Sequence, residues 1–229
     1  MRKKWKSSKS SKLSDSRNKQ STWQNTIPKY EPQRWSEPLT KKSHNCYSYF
    51  LNKTSKKHNK ECIYKNNIRP QNNKKTIKRK FRKHDKECGK PQPGYYAGHR
   101  LYNKKKNFTC KRMEKRVFSD NPSIRKTTRK CGCKNKEYMG AMVIKPYDTF
   151  HFYRQDADKG WSHKLGSTRV SRKDGNGKRI RDPKTSNRNF GHGLKYKNFC
   201  GYYCLPYSRR KKHQSVFRLK RRRKGKEKS

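Results

Sequence analysis

The chain has 229 residues, with 67 Lys and Arg against 15 Asp and Glu, and a formal charge of +52. At 27% hydrophobic residues it can bury one modest core. It holds no run of about 18 apolar residues, which excludes a membrane-spanning helix, and its charged start lacks the apolar segment of a secretory signal.

A charge this large calls for a polyanion or an acidic protein surface as partner. Nucleic acid is the default expectation, held through phosphate contacts that ignore base sequence and weaken steeply with salt. The alternative is a solvated basic surface, against which self-repulsion works.

Residues 1–20 carry eight cationic residues and one acid and read as a basic arm that orders only on a partner. Residues 21–42 hold Trp23, Ile27, Tyr30, Trp35 and Leu39 among prolines at 28, 32 and 38. That spacing predicts an extended segment pinned by aromatics, because proline discourages helix. The basic arm and extended segment together span 1–42, and a domain of 43–207 follows. In Ser43-His-Asn-Cys-Tyr-Ser-Tyr-Phe-Leu-Asn52, Asn45 is a plausible N-cap and Cys46 falls in the first helical turn. Tyr47, Phe50 and Leu51 give one buried face. A cysteine at the positive end of a helix dipole is expected to have a lowered pKa. The alternative is a small buried cysteine in a core helix.

Residues 53–90 read as a polar, cationic insert. Within it His58-Asn-Lys-Glu-Cys62 recurs as His84-Asp-Lys-Glu-Cys88. Each pair places His and Cys on one helical face. His58, Cys62, His84 and Cys88 therefore make a candidate structural zinc set, with low-complexity repetition as the alternative. Pro91-Gln-Pro-Gly94 is turn-rich. Cys131, Cys133, Cys200 and Cys204 are candidates for disulfides or a second metal site, and with eight cysteines a free Cys46 requires another unpaired cysteine or a metal.

Met139-Gly-Ala-Met-Val-Ile144 is the one clearly apolar run. Phe150, Phe152 and Tyr153 around His151 predict a strand, Asp156 to Gly160 a turn, and Trp161 to Leu165 a returning strand. If the turn centres near Asp158, Tyr153 faces His163, and His151 and His163 share a face as diagonal neighbours; a one-residue slip removes that pairing, and the sequence leaves the register open. Tyr196 to Pro206 reads as the last core-like strand, and a basic tail occupies 208–229.

Asn45-Cys-Tyr-Ser-Tyr-Phe-Leu-Asn52, Pro91-Gln-Pro-Gly94, Asp148-Thr-Phe-His-Phe-Tyr-Arg154, Gly160-Trp-Ser-His-Lys164 and Asp182-Pro183 with Asn187-Arg188 occur in that order. Together they resemble small papain-like cysteine-peptidase domains of bacteria and large DNA viruses. The resemblance implies an α+β fold, a helix bearing Cys packed on an antiparallel sheet. It implies Cys46 as nucleophile and His151 as general base, with no cofactor for the chemistry. A third polar group normally orients such a histidine; the hairpin geometry makes His163 the candidate and Asp156 the alternative. The glutamine that many papain-like enzymes carry just before the cysteine is missing, and the Cys46 amide could serve the oxyanion instead.

Three functions are open at this point. The first is a basic minor capsid or internal protein of a large DNA virus, built on a papain-like scaffold. It would reside in the virion, and in host cytoplasm during assembly, binding capsid neighbours and genome. The second is an active cysteine peptidase or amidase packaged in the particle. The third is an RNA-binding protein with a Cys/His zinc site.

Overall fold

The computed structural model describes residues 27–66, 88–102 and 108–207. The basic arm of 1–20, the basic tail of 208–229 and His84 lie outside the described residues. The described fold is mixed α+β. Helices α1 (Pro32–Ser36), α2 (Pro38–Ser43), α3 (Cys46–Phe50), α4 (Lys56–Lys65) and α5 (Cys110–Asp120) accompany strands β1 (Arg125–Thr127), β2 (Glu137–Lys145), β3 (Thr149–Gln155), β4 (Trp161–Lys164), β5 (Val170–Ser171) and β6 (Asn198–Pro206). The strands form one antiparallel sheet in the order β1-β6-β2-β3-β4-β5.

Within the segment expected to be extended, residues 32–36 and 38–43 are helical instead, and residues 21–26 lie outside the described residues. Pro32 and Pro38 open α1 and α2, where a missing N–H costs nothing and the fixed φ suits the first turn. Glu37 caps α2 by accepting from the amides of Leu39 and Thr40 at 3.2 and 2.7 Å. Trp35, fully buried, sets its indole edge against the Tyr49 ring with centroids 5.0 Å apart.

Strand β2 is buried along nearly its whole length because both faces of the sheet are covered. That is why Met139 to Ile144 shows no alternation. On one face Met142, Ile144, Phe150 and Phe152 pack with Tyr47 and Phe50 of α3 and Met113 and Val117 of α5. On the other, Ala141, Val143, Tyr153 and Trp161 pack with Ile180 and Tyr196. A Cβ on Gly140 of β2 would stand 2.3 Å from the Phe50 ring. The glycine is what lets α3 lie against the sheet.

Helix α5 lies in a basic part of the chain. Thr109 caps it, and Met113, Arg116 and Val117 form its buried face. Disulfides join Cys62 to Cys88, Cys110 to Cys200 and Cys133 to Cys204, leaving Cys46 buried and Cys131 exposed as free thiols. Cys200 is the extra residue of a bulge, since Met142 pairs with Gly201 and Val143 with Phe199.

Candidate active site

The site begins with α3. Asn45 caps the helix, its side-chain oxygen accepting from the amides of Tyr47 and Ser48 at 3.1 and 3.2 Å. Its amide donates to the Pro91 carbonyl at 2.8 Å. At the far end the Tyr138 hydroxyl donates to the Phe50 carbonyl at 2.8 Å. In the middle, Tyr49 hydrogen-bonds Ser162 at 2.7 Å and accepts from Arg154, whose guanidinium also lies 3.9 Å over its ring. Lys164 locks the approach to the helix. Its ammonium donates to the carbonyls of Lys41, His44 and Gly166 at 2.8, 2.7 and 2.7 Å, the first two at the C-terminal end of α2. Burial, and then the charge of Lys90, pulls Lys164 down to about 7. Its three acceptors are all carbonyls, and only the ammonium has three N–H donors for them, so the geometry suits the charged form. In the sequence Lys164 is simply the last residue of the Gly160-Trp-Ser-His-Lys164 block. Its place two residues after Ser162, on the face toward α3, was the available signal.

The hairpin register is the one that a turn centred near Asp158 gives: Tyr153 pairs with His163, Arg154 with Ser162 and Gln155 with Trp161. His151 and His163 are therefore diagonal neighbours, with His151 Nε2 2.8 Å from His163 Nδ1. His163 Nε2 lies 2.9 Å from the Lys173 carbonyl. That carbonyl can only accept, so His163 Nε2 carries a proton. Neutral His163 then accepts at Nδ1, His151 donates from Nε2, and neutral His151 is left with a free lone pair on Nδ1. The Lys173 carbonyl that orders this chain is backbone and left no mark in the sequence. Tyr196 stacks on His151 with centroids 5.1 Å apart.

The β3–β4 pairing stops at Tyr153 and His163, and the amide of Phe152, one residue beyond, hydrogen-bonds the Cys46 sulfur. The sulfur thus lies beside the backbone that follows His151. It is in electrostatic reach of Lys164 on the α3 face and of Tyr196 on the histidine face, whose phenol is held up first by burial and then by the Cys46 charge.

The expected low cysteine pKa is corrected by the structure: burial pushes the Cys46 thiol up to about 12. A five-residue helix has little dipole to set against complete desolvation. Burial also lowers His163 to about 4 and, with the nearby His163 charge second, holds His151 well below the ordinary imidazole range. Among the described residues no hydrogen bond joins Cys46 to either histidine; at rest the thiol and both imidazoles are neutral.

Asp156 does not reach the histidines. It belongs to the other side of the period-two alternation, and there it accepts from Arg154 at 2.9 Å and Arg172 at 3.2 Å, fully buried. It anchors the hairpin to those two guanidiniums. The zinc set is also corrected. Cys62 and Cys88 are joined to each other, which consumes the thiolates that zinc would need, and His58 instead packs on Tyr95 with ring centroids 4.9 Å apart. Cys133, Glu137 and Cys204 converge within 4.8 Å, but the two sulfurs form a disulfide and Glu137 pairs with Arg125 at 2.7 Å. That set could take a metal only after reduction.

Among the described residues no helix is long and apolar enough to cross a membrane. No family model matches the chain, and no solved structure does. The chain is similar to insoluble matrix shell protein 1 of Ruditapes philippinarum, 38% identical over 66 residues. The match covers 29% of this chain and 41% of that protein, so the chain spans well under half of the relative it resembles.

Proposed function

We propose that this chain is a cysteine-dependent acyl-transfer enzyme, a peptidase or amidase with a papain-like arrangement, carried on a strongly cationic chain. The observation that carries the reading is the ordered run from the Lys173 carbonyl through His163 to His151. It leaves His151 a proton acceptor beside the strand amide that meets the Cys46 sulfur.

In the reaction, Cys46 would attack a carbonyl carbon as its thiol proton passes to His151 Nδ1. His163, accepting from His151 Nε2, would hold the ring and stabilise the imidazolium. The proton would then go to the leaving amine as the carbon–nitrogen bond breaks, and water would release the acyl group from sulfur. Asn45 occupies the amides of Tyr47 and Ser48, so the Cys46 amide is the first-turn donor available to the developing oxyanion. Substrate entry requires the surroundings to part, since Cys46, His151 and His163 are all buried; Tyr196 over His151 and the Pro91 segment on Asn45 are the covering groups.

The test is a peptidyl vinyl sulfone, read by peptide mapping. Cys46 should be alkylated once per chain, and His151→Ala should slow the reaction on the order of 10²–10⁴-fold. Iodoacetamide, with no recognition element, should modify exposed Cys131 first. A Cys46 that stays unmodified, or reacts equally in His151→Ala, would overturn the reading.

The same burial favours a second reading: a basic structural protein of an assembly, retaining a papain-like scaffold without turnover. A minor capsid or internal virion protein bound to capsid neighbours and genome is one form of it. The likeness to a shell matrix protein supports a structural role in an extracellular matrix as another. The three disulfides favour a setting where thiols are oxidised. Failure of both arms of the alkylation experiment would leave this reading standing.

A further inference from the structure

A second concave site lies between the start of the segment after Gly98 and the outer side of α5. It is a cleft of about 390 Å³ lined by His99, Arg100, Leu101, Tyr102, Arg112, Lys115 and Arg116, four of them formally cationic and none acidic. The residue that decides what the cleft is for is Arg116. It is only 5% exposed, and two of its three guanidinium nitrogens, Nε and Nη1, have no hydrogen-bond partner. Its third nitrogen donates to the Arg100 carbonyl, and the group lies 3.9 Å over the Tyr102 ring.

The acid that helical spacing would offer Arg116 is already committed. Asp120, one turn on, accepts from the Tyr47 hydroxyl at 2.6 Å and from the amides of Gly94 and Ala97 at 2.6 and 2.7 Å. Glu114 faces elsewhere, toward Lys126 and Tyr203. Burying a guanidinium is costly unless its N–H groups find acceptors, and Nε and Nη1 of Arg116 have none within the fold. The chain also makes room for it: a Cβ on Gly94, whose φ is +92°, would stand 2.3 Å from Arg116 Nε.

We infer that this cleft is an oxyanion site, taking a phosphate or sulfate group either free or borne on a small organic ligand. Arg116 supplies the desolvated charge at its base, and Arg112 and Lys115, both exposed on α5, supply the mouth. Guanidinium groups suit tetrahedral oxyanions because each N–H makes a charge-assisted hydrogen bond to one oxygen. The site is separate from Cys46 and does not depend on the acyl-transfer reading.

The experiment is a titration of the full chain with inorganic phosphate at high salt, where the diffuse attraction of the many surface cations is screened. Calorimetry and the thermal midpoint are both followed. One saturable site per chain is expected, competed by sulfate, with a midpoint that rises with ligand. Arg112→Gln with Lys115→Gln, which leaves the core intact, should weaken binding at least tenfold, and Arg116→Lys should do the same. A parallel arm with glycerol 3-phosphate identifies the source: tighter binding than phosphate places the group on a ligand, equal binding places it free. Uptake that does not saturate, vanishes with salt, or is unchanged in the double variant would overturn the site and leave only non-specific condensation on a basic surface.

Discussion

Cys46 sits under two opposed influences, and their sizes decide its state. A helix N-terminus is worth about 0.3–1 kcal/mol to a nearby anion, whereas burying a charge costs several, so the thiol is pushed up to about 12. The thiol is then protonated near neutrality. Attack, if it occurs, transfers the proton as the bond forms instead of starting from a standing ion pair. The histidines follow the same physics with a measurable consequence. His44, His163 and His151 are buried and their imidazoles are lowered, the first two to about 4 and the third well below its ordinary value. His44 is further committed to its neutral form, because its Nε2 accepts from the Ser55 amide at 2.7 Å. As pH falls below about 6.5, the unfolded chain takes up protons at these positions and the folded chain does not. Stability is therefore complete above that pH and declines toward pH 4, each histidine contributing up to about 1.4 kcal/mol per pH unit. Urea unfolding at pH 7 and pH 5 should give a clearly lower stability at pH 5, and His163→Gln should reduce the difference. Equal stability at the two pH values would mean these rings are solvated.

At the scale of elements, α3 is held by contacts that come from four separate strands and a loop. Tyr138 of β2, Arg154 of β3 and Ser162 of β4 reach it directly, Tyr203 of β6 sets its ring edge-on to Phe50, and Pro91 receives Asn45. Gly140 is the position on which that packing turns. Gly140→Ala would drive a methyl into the Phe50 ring and should cost about 1–3 kcal/mol by overpacking. Because α3 carries Cys46, the same substitution should also slow its reaction with the vinyl sulfone. Unfolding measurements on Gly140→Ala alongside Gly160→Ala, where the nearest atoms are side-chain tips at 3.1 Å or more, provide the control; equal effects would show that the close approach at Gly140 is not significant. The hairpin shows how far elements were legible. Its register is the one expected if the turn centres near Asp158, and the His151–His163 pairing follows from the register. Helices α1 and α2 were not legible, because their prolines sit at the one helical position that tolerates them. Helix α5 was masked by charge: Cys110, Met113, Val117 and Phe118 pack against the core at helical spacing, with charged residues filling every position from 111 to 116 except Met113.

For the molecule as a whole, a formal charge of +52 opposes compaction, and two features offset it. The first is the placement of the scarce acids. Asp120, Asp156 and Asp182 each receive several donors from distant parts of the chain, so they act as internal anchors. The second is covalent. Cys110–Cys200 and Cys133–Cys204 close separations of 90 and 71 residues, for which chain-entropy reasoning gives roughly 4 kcal/mol each. Replacing Cys133 and Cys204 together by Ser should lower the thermal midpoint on the order of 10 °C, and dithiothreitol should reproduce much of that shift in the unmodified chain. A midpoint indifferent to both would show that the thiols are reduced in the working protein and would reopen Cys133, Glu137 and Cys204 as a metal set.

The sequence alone was enough for what depends on near neighbours: the N-cap at Asn45, the hairpin, the buried run of β2, and the cationic character of the chain. Those follow from period-two and period-3.6 patterning and from turn chemistry, which act over a few residues. The hairpin register stays open to a one-residue slip in the sequence, and the fold decided it. The tertiary structure alone decided the rest. Cys62 meets Cys88 in a disulfide and not a zinc site because chain closure brings the sulfurs together. Asp156 serves Arg154 and Arg172 because its face of the sheet is opposite to that of the histidines. Cys46 is protonated because it is buried, and Arg116 keeps two guanidinium nitrogens unpartnered while Asp120 accepts from Tyr47 and from the 94–97 turn. Burial and the claims of distant partners are sums over the whole fold, and no local stretch of sequence carries them.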